Sequence, residues 1–374
     1  MTAGPTSNMD VKRRNRSNTL RCILTCDRIS QMELSQRLSL SWPTVLQNVK
    51  ELTELGLIQE VGSYESTGGR KAKAYAPVRD ARLALGLDIT RNHVSVVLMD
   101  LSGRMVRSIR KACPFSLDDG YAQGLGELAG QFVEENGAQN RLLGVGISLP
   151  GIVAEEEGVL RYSHILGIQD VPTDFFNRYI PYPRHFINDA NAAGLAEVYG
   201  TPDAEDFVYL SLSNSVGGAI LNGGTLYTGS HLRAGEFGHN TLVPDGRQCY
   251  CGKKGCLDAY CSARVLAGHT EGRLADFFEG LRRGDPQLGQ IWKEYLQYLA
   301  VTVNNLHMSF DCDVIVGGYV GAFLEEFGAP LRTLLEERNT FQWDSSYLRF
   351  CRYKLEAAAV GAALVQVEEF IRGL

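Results

Sequence analysis

The sequence lacks an apolar run that approaches the roughly 20 residues needed to cross a bilayer, and this absence excludes an α-helical membrane protein. Its polar, basic first 18 residues also lack the apolar segment of a secretory signal peptide. Nine cysteines are present, but five are scattered as expected for reduced thiols: Cys22, Cys26, Cys113, Cys312 and Cys351. The sequence therefore predicts a cytoplasmic protein without membrane contact.

Charge is distributed unevenly along the chain, whose formal net charge is −6. Residues 1–79 contain 12 basic and seven acidic side chains, which gives +5, whereas the remainder contains 25 and 36, which gives −11. A basic segment ahead of an acidic body is typical of a DNA-binding module attached to a domain with another role.

The basic segment shows the pattern of a winged helix-turn-helix domain over residues 1–79. Apolar side chains recur at helical spacing in three short stretches, and two extended segments follow. The predicted helices cover residues 18–26, 32–38 and 42–55, and the predicted strands cover residues 57–61 and 72–76. In such a domain the third helix enters the major groove of DNA. The alternative is a small helical domain with solvated charges.

The third helix and the loop between the two strands carry the candidate DNA contacts. The predicted outward positions of the helix are Trp42, Thr44, Gln47 and Asn48. Glutamine and asparagine can read adenine through two hydrogen bonds. Arg70 and Lys71, at the tip of the predicted wing, suit phosphate or the minor groove.

One imidazole and three thiols lie close together near the middle of the chain. His239, Cys249, Cys251 and Cys256 occur in a glycine-rich stretch, and this donor set suits a tetrahedral Zn²⁺ site with no open position for water. The sequence predicts a structural zinc ion there. Cys261 lies near enough to replace one of the four, and the alternative is a loop of free cysteines.

Strands and helices alternate after residue 80, which predicts an α/β fold. Strands are predicted at residues 85–89, 94–100, 142–148, 185–187, 207–212, 218–221 and 314–316, with another beginning near residue 106. Helices are predicted near residues 125–133 and at 191–199, 287–306, 323–337 and 357–371.

The body resembles the ROK family (repressor, open reading frame, kinase), and the resemblance covers essentially the whole chain. It rests on GEFGH at residues 235–239, CYCGKKGCLDAY at 249–260, INDANAA at 187–193, GISLPG at 146–151 and VGG at 316–318. It implies a two-lobed actin/hexokinase-like fold with a sugar between the lobes. The first lobe would cover residues 80–190, joined by the final helix at 355–374, and the second lobe residues 191–354.

The resemblance also implies a set of sugar contacts. These are Asn188, Asp189, Glu236, His239 and Asp258, where Asp189 matches the general base of the family's kinases. The family usually has glutamate at position 258, and the aspartate is one methylene shorter. His164 lies where family members often have a polar sugar contact.

Two phosphate-binding loops of the family's kinases are degenerate here. The Asp-x-Gly-Gly-Thr loop corresponds to residues 88–92, where both glycines are lost and Arg91 is bulky. The Gly-Thr-Gly loop corresponds to residues 213–215, which read Ser-Asn-Ser. Because a Cβ atom obstructs backbone approach to phosphate, these losses predict that the chain is not an enzyme.

The favoured hypothesis is a sugar-responsive transcriptional regulator, most often a repressor, that binds double-stranded operator DNA as a homodimer or homotetramer. The alternative is an ATP-dependent sugar kinase that also binds DNA, because Asp88 and Asp189 are both present. A third hypothesis is a zinc-responsive regulator in which the metal is the signal.

Overall fold

The computed structural model describes residues 7–64, 72–200 and 206–374. Its N-terminal part, called the head, has the three predicted helices followed by the two predicted strands, and an additional short strand lies between the first two helices. The head consists of α1 (Asn8–Leu24), β1 (Ile29–Ser30), α2 (Gln31–Leu38), α3 (Trp42–Glu54), β2 (Ile58–Ser63) and β3 (Lys73–Pro77). The three strands form one antiparallel sheet in the order β1-β3-β2. The predicted wing residues Arg70 and Lys71 lie outside the described residues.

Helix α1 begins ten residues before the predicted start at Asn18. Ser7 caps it in a reciprocal arrangement, in which the Ser7 hydroxyl accepts from the backbone N–H of Asp10 while the Asp10 carboxylate accepts from the backbone N–H of Ser7. This capping box satisfies amide groups that a helix end otherwise leaves unpaired, so the polar stretch before residue 18 is helical.

The predicted outward position of Asn48 is wrong. Asn48 is 5% exposed, and its amide donates to the hydroxyl of Thr19 on α1 at 2.9 Å. The side chain faces inward on α3 together with Val45 and Val49. A buried amide needs such a partner, so Asn48 fixes α3 against α1 and is not available to DNA.

The first half of the body surrounds a five-stranded sheet in the order β11-β7-β4-β5-β6. Its elements are β4 (Leu83–Ile89), β5 (His93–Asp100), β6 (Met105–Ala112), α4 (Asp119–Glu135), β7 (Leu142–Leu149), β8 (Ile152–Ala154), β9 (Val159–Ser163), β10 (Ile168–Pro172), α5 (Asp174–Asn177), β11 (Arg184–Asn188) and α6 (Asp189–Val198). Strands β8, β9 and β10 form a separate small sheet. The predicted lobe boundary at residue 190 falls within the first turn of α6.

The second half surrounds another five-stranded sheet in the order β14-β13-β12-β15-β16. Its elements are β12 (Phe207–Leu212), β13 (Val216–Asn222), β14 (Thr225–Leu226), α7 (Asp258–Cys261), α8 (Ala263–Ala267), α9 (Leu274–Arg282), α10 (Pro286–Phe310), β15 (Asp313–Gly317), α11 (Gly318–Gly321), α12 (Leu324–Phe327), α13 (Ala329–Glu336) and β16 (Leu348–Phe350), and the last helix is α14 (Ala357–Gly373).

The helix predicted over residues 323–337 is two helices in the structure. Helix α12 ends at Phe327, Gly328 follows, and α13 restarts with Pro330 in its first turn. Proline fits a helix start because it has no N–H to pair there, whereas inside a helix it removes a hydrogen bond.

Helices α6 and α14 join the two halves of the body. Helix α14 packs against β4, β5 and β7, α6 packs against β12 and β13, and the two helices pack on each other. Their backbones approach so closely that a Cβ atom at Gly361 would lie 1.7 Å from the carbonyl oxygen of Ala192. Glycine is therefore required where these helices cross.

The head is attached to the same helix α14. The Ser17 hydroxyl donates to the carbonyl oxygen of Ile371 at 2.6 Å, and Arg21 pairs with Glu368 at 2.6 Å. One cluster of buried apolar side chains extends from the head to α14. Within the three described ranges, no helix is both long and apolar enough to span a bilayer.

Candidate functional site

A cavity of about 2350 Å³ opens between the two halves of the body and reaches the head. It contains most of the predicted sugar contacts. Its wall includes His164, Asn188 and Asp189 from the first half, and Glu236, His239 and Tyr250 from the second half. The structure thus brings together polar side chains that are distant in sequence.

Asp189 is the first residue of α6, and its half-buried carboxylate lines the cavity. Burial raises its pKa from 3.8 to about 7, and the nearby Asp88 and Glu236 carboxylates add to the shift, while the backbone N–H of Ala190 opposes it. A carboxylate in this state gains from hydrogen-bond donors that a ligand supplies.

Asn188 precedes Asp189 and holds the start of the same helix. Its side-chain oxygen accepts from the backbone N–H of Asn191 at 3.0 Å, and its amide donates to the carbonyl oxygen of Gly151 at 2.9 Å. One amide hydrogen remains available towards the cavity, because the NH₂ group has two.

Glu236 immediately precedes a 3₁₀ turn formed by Phe237–His239. Its carboxylate is half-buried, and burial raises its pKa, although His239 and Arg233 oppose the shift. Glu236 and Asp189 therefore provide two carboxylates on one cavity wall.

The structure does not bring Asp258 to the cavity. Asp258 is 2% exposed, and one of its oxygens accepts from the backbone N–H of Val216 at 2.7 Å while the other pairs with Arg264 at 3.2 Å. Because both oxygens are engaged within the protein, this short side chain supports the start of β13 and lies apart from the predicted sugar contacts that line the cavity.

His239, Cys249, Cys251 and Cys256 converge in what we call the His/Cys loop (residues 239–256). Their potential ligand atoms all lie within 4.8 Å of one another. A Cβ atom at Gly255, where φ is +81°, would lie 1.8 Å from the carbonyl oxygen of Val243, so the loop can close this tightly only with glycine.

The imidazole of His239 is oriented for a role at this cluster. Among the described residues, its buried Nδ1 atom has no hydrogen-bond partner, whereas its Nε2 atom lies 3.4 Å from the hydroxyl of Tyr250. A buried ring nitrogen without a partner, on a histidine whose ring groups with three thiols, fits a metal ligand. Cys261, the alternative ligand, is buried outside this group.

Sequence reasoning missed Tyr250, which contacts the opposite half of the body. Its ring stacks on His164 with centroids 4.4 Å apart, and the Arg264 guanidinium lies 5.3 Å from the same ring. The only signal in the sequence was its position between Cys249 and Cys251, which places its backbone in the His/Cys loop.

Near the positions of the phosphate loops, arginine side chains form hydrogen bonds within the chain. Arg91 donates to the carbonyl oxygen of Leu166 at 2.9 Å, and Arg110 of β6 donates to the hydroxyl of Tyr319 on α11 at 3.0 Å. The cavity beside Asp88, Arg91 and Ser215 has a volume of only about 60 Å³.

Three of the predicted DNA contacts remain at or near the surface of α3. Trp42 is 48% exposed, Gln47 is exposed and Thr44 is half-buried, with its hydroxyl 2.8 Å from that of Ser41. Leu46, 41% exposed, lies on the outer face of the same helix.

Comparison with known proteins identifies both parts of the chain. The ROK family profile matches residues 84–368, and a winged helix-turn-helix DNA-binding profile matches residues 12–59. The crystal structure of a ROK family transcriptional regulator, a homologue of the E. coli MLC protein, has a TM-score of 0.74 at 21% identity and covers 98% of both chains. The predicted fold class is thereby confirmed.

Two curated relatives differ in how much they share with the chain. A "Putative xylose repressor" of Caldicellulosiruptor sp. (strain Rt8B.4) is 30% identical over 389 residues, which cover 96% of this chain and 97% of that protein. The N-acetylmannosamine kinase of Escherichia fergusonii is 36% identical over 191 residues, which span 49% of this chain and 64% of the kinase. This chain belongs to the ROK family, with a winged helix-turn-helix head in front of the ROK domain.

Proposed function

We propose that this protein is a sugar-responsive DNA-binding transcriptional regulator. The observation that carries the proposal is the contact between the head and α14, because α14 also packs against α6, the helix that presents Asp189 to the cavity. The family match and the relative named as a xylose repressor support the same role.

The effector in this proposal is a monosaccharide or a derivative of one. Its hydroxyl groups donate to the Asp189 and Glu236 carboxylates, while His239 and the free amide hydrogen of Asn188 provide further polar contacts. A site built from such groups discriminates strongly against molecules that lack the matching hydroxyls, because the buried partners would then remain unpaired.

A Zn²⁺ ion is proposed at the His/Cys loop, held by His239, Cys249, Cys251 and Cys256. The thiol-rich donor set and the partnerless Nδ1 atom of His239 fit this ion, and four protein ligands complete its tetrahedral coordination. The ion has a structural role, in which it holds the loop so that His239 and Tyr250 face the cavity.

Loss of ATP-dependent kinase activity forms part of the proposal. Arg91 replaces a glycine of the phosphate loop, and the cavity beside it has a volume of only about 60 Å³. The competing function, a sugar kinase that also binds DNA, is favoured by Asp189, whose pKa of about 7 suits a general base.

An ADP-release assay separates these functions. With ATP and xylose, glucose or N-acetylmannosamine, we expect no turnover above that of Asp189→Asn. Turnover that depends on Asp189 would establish the kinase instead.

DNA binding by the head requires paired recognition helices for paired half-sites, so we propose a homodimer or homotetramer on operator DNA. Sugar shifts the protein between two states through its different affinity for each. The experiment is a gel-shift titration on DNA upstream of the protein's own gene and its neighbours, with and without the same three sugars. We expect the protein to bind at least one of these DNA sites and one of the sugars to change its affinity for that site. Binding to none of these sites would contradict the proposal.

A further inference from the structure

A chain of polar contacts links α1 to the outer face of the recognition helix α3. The amide nitrogen of Gln47 donates to one oxygen of Glu51 at 2.6 Å, and Arg16 of α1 donates to the other oxygen at 2.6 Å. These bonds to Gln47 and Arg16 lower the pKa of the Glu51 carboxyl, which is therefore ionised near neutral pH. The side chains of Arg16 and Glu51 are 28% and 31% exposed, so the pair is partly shielded from water.

The ionised Glu51 determines which way the Gln47 amide points. A carboxylate only accepts hydrogen bonds, so Gln47 must present its NH₂ group to Glu51. The carbonyl oxygen of Gln47 and the second hydrogen of its NH₂ group then remain for a partner outside the protein. Both oxygens of Glu51 are engaged within the protein, one by Gln47 and the other by Arg16.

We propose that Arg16 and Glu51 are positioning residues that fix the direction of the Gln47 amide, so that its carbonyl oxygen accepts a hydrogen bond from DNA. In the major groove only adenine N6 and cytosine N4 offer exocyclic amino donors, whereas guanine O6 and thymine O4 are acceptors that would face the Gln47 oxygen. Gln47 therefore favours adenine or cytosine at one position of each half-site. A two-bond contact with adenine remains compatible with this orientation, because the second N–H of Gln47 can donate to adenine N7. The inference rests on the proposed DNA-binding function.

The test is selection of binding sites by the full-length protein from a pool of random DNA duplexes, followed by sequencing. The wild type should enrich a motif in which one position per half-site is adenine or cytosine. Gln47→Ala should abolish the preference at that position. Glu51→Ala and Arg16→Ala should weaken it about fivefold or more, while preferences at other positions persist, since a released amide can turn its NH₂ group towards guanine or thymine.

Glu54→Ala is the matched control, because it removes the same charge from the same helix. Glu54 lies 3.8 Å from Lys50 and is not part of the contact chain to Gln47. This variant should raise the affinity for all DNA sequences alike and leave the base preference at the position read by Gln47 unchanged.

The possible failures are distinguishable. If the wild type enriches no motif, the proposed function fails and the inference fails with it. Two results would overturn the inference alone. In the first, the wild type enriches a motif in which the Gln47-dependent position prefers guanine or thymine. In the second, Glu51→Ala and Arg16→Ala both keep the wild-type base preference at that position.

Discussion

At the scale of single residues, Asp189 is the side chain on which effector binding depends most. The carboxylates of Asp88 and Glu236 are close enough to raise the pKa of Asp189, and burial disfavours the charged form of all three. Asp88 is stabilised internally, because it accepts from the hydroxyl of Ser148 at 2.6 Å. Within the described parts of the chain, Asp189 has no comparable side-chain partner, and a ligand hydroxyl can supply one.

Replacing Asp189 with asparagine tests this role. We expect Asp189→Asn to weaken sugar binding about tenfold to a hundredfold, because a hydrogen bond to a charged group is lost. DNA affinity without sugar should not change. Calorimetric titration measures the sugar affinity, and a gel shift measures the DNA affinity. Asp276→Asn, at an exposed aspartate of α9, is the control, and equal sugar affinity in both variants would contradict the assignment.

The raised pKa of Asp189 predicts a pH dependence of sugar binding. Sugar hydroxyls donate to the ionised carboxylate, so protonation competes with the sugar, and affinity should rise between pH 6 and pH 8 and level off above the pKa of about 7. The groups that face Asp189 include Asp88, Glu236 and Tyr319. Titrations at several pH values measure the slope, which should largely vanish in Asp189→Asn; an unchanged slope would assign the titration to another group.

At the scale of elements, the His/Cys loop connects the two halves of the body across the cavity. Its Tyr250 stacks on His164, which lies in the turn between β9 and β10. The same loop provides His239 to the cavity wall. The conformation of this one loop therefore influences both the cavity wall and the contact between the halves.

Removing a thiol from the loop should reveal what the metal does. We expect the wild type to contain about one zinc per chain. Cys251→Ser should lose the zinc and bind sugar at least tenfold more weakly, while DNA affinity without sugar persists, since the head lies elsewhere. Elemental analysis measures the zinc content, and calorimetry measures the sugar affinity. Cys113→Ser, outside the loop, should behave as wild type.

Two other results would count against a structural zinc ion. Zinc that exchanges reversibly and changes DNA affinity would support a zinc-responsive regulator instead. Full sugar affinity in a metal-free protein would show that the loop folds without an ion.

At the scale of the whole molecule, the route from sugar to DNA passes through two crossing helices. Helix α6 begins at the cavity, packs on α14, and α14 contacts α1 of the head. The crossing is held at backbone distance by Gly361, so the helices cannot shift independently without breaking their packing. A change at the cavity is therefore positioned to alter the placement of the head.

Weakening the contact between head and body should uncouple sugar binding from DNA binding. In Arg21→Ala combined with Ser17→Ala, two polar contacts between α1 and α14 are lost. We expect both affinities to remain within about threefold of wild type, while the effect of sugar on DNA affinity falls severalfold towards none. Gel shifts with and without sugar measure this ratio. The control is Arg282→Ala, which removes an exposed ion pair of the body away from the cavity. An undiminished effect of sugar on DNA affinity in the double variant would contradict the route.

Much of the candidate site was predictable because its signals are local. The spacing of His239, Cys249, Cys251 and Cys256, with glycines between them, already predicted their convergence, and the order of elements in the head followed from apolar periodicity. The directions of Asn48 and Asp258 were not predictable in this way. Each depends on a partner far away in sequence, Thr19 for one and Val216 for the other.

The sequence by itself determined the two-part organisation, the His/Cys cluster and the loss of the phosphate-loop glycines, because each depends on residue type and near-neighbour spacing. Only the tertiary structure decided that Tyr250 meets His164, that Glu51 orients Gln47 with help from Arg16, and that the head rests on α14. Such contacts join segments whose relative placement is set by packing of the whole chain, and no local pattern encodes that placement.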